Sequence, residues 1–223
     1  MNCLWCDQAI IIEANWSNLF LPPKKQYLCR ICNNELDILS GRRCKHCSRS
    51  TTEKVCSDCI KWQDKNDPLI FNYSIYDYNE RMQDMIAKWK YRGDYVIGLA
   101  FQETFREVYK EIFRNNVKYT IMPIPLSQER MKERGFNQAA MLASFLTPNP
   151  RLALTRVHGE KQSKKTRRER INAKNPFELT ESLNNPIILV DDIYTTGTTL
   201  RLAAEILKQA GCPAVYGFTL VRG

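Results

Sequence analysis

Two groups of residues in this chain have types and spacings that can do chemistry. The first is residues 187–200, I-I-L-V-D-D-I-Y-T-T-G-T-T-L, where four apolar residues end in Asp191 and Asp192 and a hydroxyl-rich run with one glycine follows. In an open parallel sheet, ligands bind beyond the carboxyl ends of the strands. A small-residue loop that enters a helix offers an anion backbone N–H groups, hydroxyls and the helix N-terminus, and Gly197 lets the backbone come close. Adjacent carboxylates on a strand point to opposite faces, so a turn of the chain at the acids is expected to bring both to one ligand. A phosphate on the loop with neighbouring hydroxyls on the acids is the pattern of a ribose 5-phosphate. The competing reading is an ordinary strand–turn–helix with the acids as turn formers.

The second group is cysteine. Eight of the nine cysteines fall within the first 59 residues as four C-x-x-C pairs: Cys3/Cys6, Cys29/Cys32, Cys44/Cys47 and Cys56/Cys59. Zinc takes four such ligands in a tetrahedron, so four pairs make two complete structural sites with no position left for a catalytic water. Consecutive pairing, as two ribbons joined by residues 33–43, is favoured over a cross-brace. Iron–sulfur ligation is an alternative. A disulfide framework is disfavoured because the N-terminus lacks the basic-then-apolar pattern of an export signal. The ninth cysteine, Cys212, follows a helix-ending glycine and is expected to be an inert core residue.

The elements that must position these groups follow from periodicity. Strands are expected at 71–76, 118–124, 152–157, 187–190 and 214–221, and helices at 80–91, along the face of Ile97, Phe101, Phe105, Val108 and Ile112, at 136–146 and at 198–210. Strands alternating with helices predict an α/β fold, a mostly parallel sheet with helices on both faces. The chain then divides into a cysteine-rich module, 1–65, folded by its metals, and an α/β domain, 66–223. With 223 residues there is room for one ordinary domain and a small module. A net charge of +9 suggests an anionic partner. No apolar run approaches the roughly 20 residues of a membrane span, and the chain is expected in the cytoplasm.

Residues 187–200 resemble the phosphoribosyl diphosphate signature of the type I phosphoribosyltransferases. That resemblance implies that Asp191 and Asp192 contact the ribose hydroxyls and that Tyr194, Thr195, Thr196, Gly197, Thr198 and Thr199 hold the 5-phosphate, with Mg²⁺ accompanying the diphosphate. Beyond the signature, the cysteine-rich N-terminus, K-Y-R-G-D at 90–94, P-I-P-L followed by S-Q-E-R-M-K-E-R-G-F-N-Q at 123–138, and Q-S-K-K-T-R-R-E-R-I-N at 162–172 resemble the ComF family of competence proteins over essentially the whole chain. This implies a DNA-uptake factor that binds phosphoribosyl diphosphate and single-stranded DNA, acts with a helicase and is recruited to the membrane-associated uptake machinery. The alternative is an active transferase with Asp191, Asp192, Arg167 and Arg168 as its catalytic residues. Purine-type transferases often carry an acid three residues after the second aspartate, and Thr195 stands there instead. A hydroxyl is a poor general base at neutral pH.

Charge is concentrated in one stretch. Residues 151–174 hold nine Lys/Arg against two Glu, a net +7. This segment reads as a lid that closes over the diphosphate, as a groove for a nucleic-acid backbone through Lys164, Lys165, Arg167, Arg168 and Arg170, or as a solvated basic loop. Tyr194 and Trp62 are candidate platforms on which bases could stack.

Overall fold

A computed structural model of the chain describes residues 1–11, 25–91, 94–156, 175–181 and 183–223. Four strands, β1 (Asn72–Asp77), β2 (Thr120–Pro123), β5 (Ile187–Tyr194) and β6 (Val215–Arg222), form a sheet in the order β1-β6-β5-β2. Every neighbouring pair is parallel. Parallel pairs require crossovers, and crossovers put cover on the sheet faces. Alternation along β5 shows the result: Ile188 and Val190 pack into one core, Ile187 and Leu189 into another, and all four are fully buried.

On the first face lie α3 (Glu80–Tyr91), a 3₁₀ helix (Tyr95–Phe101), α4 (Gln102–Ile112) and α6 (Gln138–Leu146), which contribute Met85, Trp89, Phe101, Phe105 and Leu142. On the second lies α7 (Thr198–Gln209), through Leu200, Ala203, Ala204 and Leu207. The expected α/β class, with helices on both faces, is the one observed. The face of Ile97 to Ile112, expected as one helix, begins instead as the 3₁₀ turn. A Cβ at Gly98, within that turn, would sit 2.6 Å from Met141 Sδ and 2.9 Å from the Trp89 ring, so α6 and α3 press directly on its backbone.

The strand expected at 152–157 is β3 (Leu154–Arg156), which is outside the main sheet. It pairs antiparallel with β4 (Phe177–Leu179), a three-residue strand too short to show any period. Residues 157–174, between these two strands, lie outside the described residues, and with them Lys164, Lys165, Arg167, Arg168 and Arg170. Helix α5 (Gln128–Arg134) was not anticipated, although its signals are in the sequence. Ser127 accepts from the Arg130 N–H at 3.3 Å as the N-cap, and Gly135 ends the helix at φ 75°. Asn137 then caps α6, accepting from Ala139 N at 2.9 Å and donating to Ile124 O at 2.9 Å.

The cysteine-rich segment wraps the sheet. Cys3 and Cys32 belong to the core of the first face, whereas Cys44, Cys47, Cys56 and Cys59 belong to that of the second. Between them the chain passes along the free edge of β1, where Leu39 N donates to Ile75 O at 2.8 Å and Asp77 N to Asp37 O at 2.9 Å. Residues 33–43, expected only to link two ribbons, therefore also cover a sheet edge.

Candidate functional site

The cysteines form two clusters, Cys3/Cys6/Cys29/Cys32 and Cys44/Cys47/Cys56/Cys59, with the sulfurs of each within 4.8 Å of one another. This is the consecutive pairing. A zinc–sulfur distance of about 2.3 Å implies tetrahedral edges of about 3.8 Å; the Cys6–Cys29 and Cys47–Cys56 sulfurs are 3.7 and 3.6 Å apart. All nine cysteines are free thiols rather than disulfides. The donor sets fit zinc. Short helices bring the second members of two pairs inward: α1 (Arg30–Asn34) carries Cys32 and α2 (Ser57–Gln63) carries Cys59. Cys212 is buried, with its sulfur 3.3 Å from Ala214 O, as expected of a core residue.

At the other group, the expected turn at the acids is absent. β5 continues pairing with β6 through Tyr194, three residues beyond Asp191. The two carboxylates consequently have different neighbours. Asp192 is buried and forms an ion pair with Lys90 Nζ of α3 at 2.6 Å. Asp191 lies near Arg156 of β3, whose guanidinium is brought below its usual value by burial and by Arg130, with Asp191 opposing. Burial, and then the charge of Asp192, push the Asp191 carboxyl up to about 7, against the Asp192 N–H and Lys90. Lys90, beside Asp192, and Arg156, near Asp191 and Arg130, thus flank the acids, and sequence reasoning did not assign them. Lys90 and Arg130 sit in the quoted K-Y-R-G-D and S-Q-E-R-M-K-E-R-G stretches, but pairing across a hundred residues has no local period.

This arrangement predicts a pH dependence. Asp191 binds its proton more tightly folded than unfolded, so its contribution to stability is complete at acid pH and is lost as pH rises toward 7 and beyond. Asp191→Asn removes that loss. The variant is expected to gain stability relative to the parent at pH 8 compared with pH 5, by on the order of 3 kcal/mol. Urea unfolding at the two pH values reads the difference; an equal effect of the substitution at both would show that Asp191 does not titrate in this range.

Beyond Tyr194 the loop takes the expected shape. Thr195, Thr196 and Thr198 are exposed and Thr199 is partly so. Thr196 and Thr198 hydroxyls meet at 2.9 Å. Gly197, at φ 75°, is the N-cap of α7 and supplies no capping side chain, which leaves the first N–H groups of the helix to the loop. Tyr194 differs from the rest. Its side chain is 2% exposed and its hydroxyl accepts from Arg201 Nη1 at 2.6 Å, so its side chain is not open to a phosphate and its ring is not a stacking platform. Trp62 is likewise engaged, with the Arg201 guanidinium 4.6 Å from its ring centre. Of the basic stretch, Arg151 is paired with Glu181 and Arg156 lies near Asp191.

The fold and these sites define a class: a parallel α/β domain with two acids and a threonine-rich loop at the end of a central strand, wrapped by two four-cysteine clusters. No family model matches the chain. It is 38% identical to the competence protein ComFC of Bacillus subtilis, covering 99% of this chain and 94% of that protein. It is 30% identical to the competence protein ComFC of Streptococcus pneumoniae over the whole of both chains. It is 25% identical to the DNA utilization protein YhgH of Escherichia coli, covering 87% of this chain and 96% of the other. Among solved structures, a hypoxanthine phosphoribosyltransferase from Staphylococcus aureus aligns with a TM-score of 0.36 and 16% identity, over 56% of this chain and 64% of that one. The chain belongs to the ComF family of competence proteins.

Proposed function

We propose that this protein is a DNA-uptake factor that binds phosphoribosyl diphosphate or a related ribose phosphate, binds single-stranded DNA and works with a helicase. The names of its relatives, competence protein and DNA utilization protein, support the DNA role. One observation carries the ligand: Asp191 and Asp192 stand at the carboxyl end of a central parallel strand, directly before an exposed threonine loop at a helix N-terminus. In this reading Thr195 to Thr199 hold the 5-phosphate and the acids take the ribose hydroxyls. Arg130 and Arg156 give the diphosphate a positive wall. Asp191 offers the oxygen donor that an accompanying Mg²⁺ would take, and that ion would neutralise part of the diphosphate charge. Two zinc ions would fold the cysteine segment, 1–65, whose ligands pack into the cores of the domain of 66–223. No helix among the described residues is long and apolar enough to cross a membrane.

Single-stranded DNA binding is tested through salt. Each phosphate neutralised on a single strand contributes a slope of about −0.7 in log affinity against log salt. Changing Lys164, Lys165, Arg167 and Arg168 together to Ala is expected to weaken binding and to flatten the slope by up to about three units if each meets one phosphate. Fluorescence anisotropy with an oligonucleotide across a salt series measures it. An unchanged slope would remove this segment as the DNA groove. Loss of phosphoribosyl diphosphate binding in the same variant would make it a lid.

A further inference from the structure

Arg201 lies on the first turn of α7 and is only 3% exposed. A buried guanidinium needs a partner, and here the partner comes from outside the sheet. Asp67, in the turn after α2, accepts from Arg201 Nε with both oxygens at 3.0 Å and from Nη2 at 2.8 Å. The same carboxylate accepts from Leu69 N at 3.0 Å, which fixes it in its own turn. The remaining nitrogen, Nη1, donates to the Tyr194 hydroxyl at 2.6 Å and lies 3.5 Å from Thr196 O, inside the threonine loop. A Cβ on Gly197 would come within 2.2 Å of both Nη1 and the Tyr194 oxygen. The guanidinium and phenol therefore fill the space directly beneath the loop backbone.

Two further contacts extend this support. The face of Trp62, on the α2 that carries Cys59, covers the guanidinium at 4.6 Å. The Tyr194 carbonyl accepts from Arg222 Nη1 at 3.1 Å and from Gly223 N at 2.9 Å. The loop is thus held from below by one fork-shaped cation, and the other side of that fork is anchored by Asp67 after α2. A planar guanidinium can serve two partners at fixed angles in a way that an ammonium cannot.

We propose that Arg201, oriented by Asp67, is a positioning residue for the phosphate loop. This rests on the ribose-phosphate reading of the loop. The hydrogen bonds of the Asp67 carboxylate among the described residues go to Arg201 and Leu69, so its effect on a ligand passes through Arg201. Loss of the Asp67 charge frees the guanidinium to leave its place under Gly197, and the backbone N–H groups of Thr195 to Thr199 lose their common orientation.

The test uses the full-length protein with its metals and the variants Asp67→Asn, Tyr194→Phe and their combination, checked first for unchanged metal content. Hydrogen exchange is followed at the amides of residues 195–199 and at β6 as an internal reference. Titration with Mg²⁺ and phosphoribosyl diphosphate follows. We expect the loop amides of Asp67→Asn to exchange at least tenfold faster with the β6 amides unchanged, and affinity to fall about tenfold. The double variant should lose no more than the larger single loss, because both changes act through one guanidinium. Unchanged loop exchange in Asp67→Asn, or faster exchange spread equally over β6, overturns the proposal. Faster loop exchange in a protein whose parent form binds no phosphoribosyl diphosphate supports the positioning role and overturns only the choice of ligand.

Discussion

Replacing Cys59 with serine is expected to remove the metal from the second cysteine cluster and to destabilise the α/β domain as a whole. Cys59 is 1% exposed, and its cluster packs in one continuous core with Met122 of β2, Leu189 of β5 and Leu207 of α7. Binding of a structural zinc contributes on the order of 10–16 kcal/mol to folding, which matches or exceeds the roughly 5–15 kcal/mol by which a domain is stable. Three remaining thiols hold the ion poorly and leave buried sulfurs in apolar surroundings. Metal content should fall from about two ions per chain to about one, and the thermal transition should drop by tens of degrees or vanish. Cys6→Ser is the useful contrast, because Cys6 is exposed; it should lose its ion while β5 and β6 keep most of their protection. Retention of both ions and an unchanged transition in Cys59→Ser would show that the second cluster is not a metal site.

The second large effect concerns the acids. Asp191→Ala with Asp192→Ala is expected to lower affinity for phosphoribosyl diphosphate by about a hundredfold or more, since each charged hydrogen bond contributes roughly 1.5–3 kcal/mol. The structure adds a complication that the sequence does not reveal. Lys90 Nζ is 2.6 Å from Asp192, and both side chains are nearly buried. Removing one partner of a buried pair destabilises by about 3–5 kcal/mol, because the other charge is left uncompensated. A lost affinity could then reflect a damaged fold. Adding Lys90→Met removes the orphaned charge and should restore the thermal transition without restoring the ligand. Calorimetric titration of the double and triple variants separates the two effects. Unchanged affinity in the folded triple variant would dismiss the acids as ligand contacts.

The readable parts of the site were local. Four C-x-x-C pairs at one spacing declared two tetrahedral donor sets, because a knuckle is a turn of four residues and needs nothing distant to form. The run from Ile187 to Thr199 declared a buried strand, its end and a helix start, because apolar continuity, two charges and a glycine are all recorded in adjacent positions. The caps Ser127 and Asn137, with Gly135 between, are equally local signals. β4 could not be read, since three residues carry no period and the strand exists only because β3 lies beside it.

What the sequence determined by itself was therefore the class of the fold, the eight cysteine ligands as four pairs, though not which pairs share an ion, and the position of the acids and threonines at a strand end. These follow from side-chain chemistry and short-range periodicity, which act within a few residues. Only the tertiary structure decided how those pieces share space. It carried β5 past the acids, so that Asp192 meets Lys90 of α3 while Asp191 lies near Arg156 of β3. It set the two cysteine clusters on opposite faces of the sheet. It also turned Tyr194 inward onto Arg201, and Arg201 onto Asp67 across 134 positions of chain. Each of these pairings is made by burial: a charge or hydroxyl taken from water must find a partner, and which partner it finds depends on where the packed elements bring the chain, not on what stands next to it in sequence.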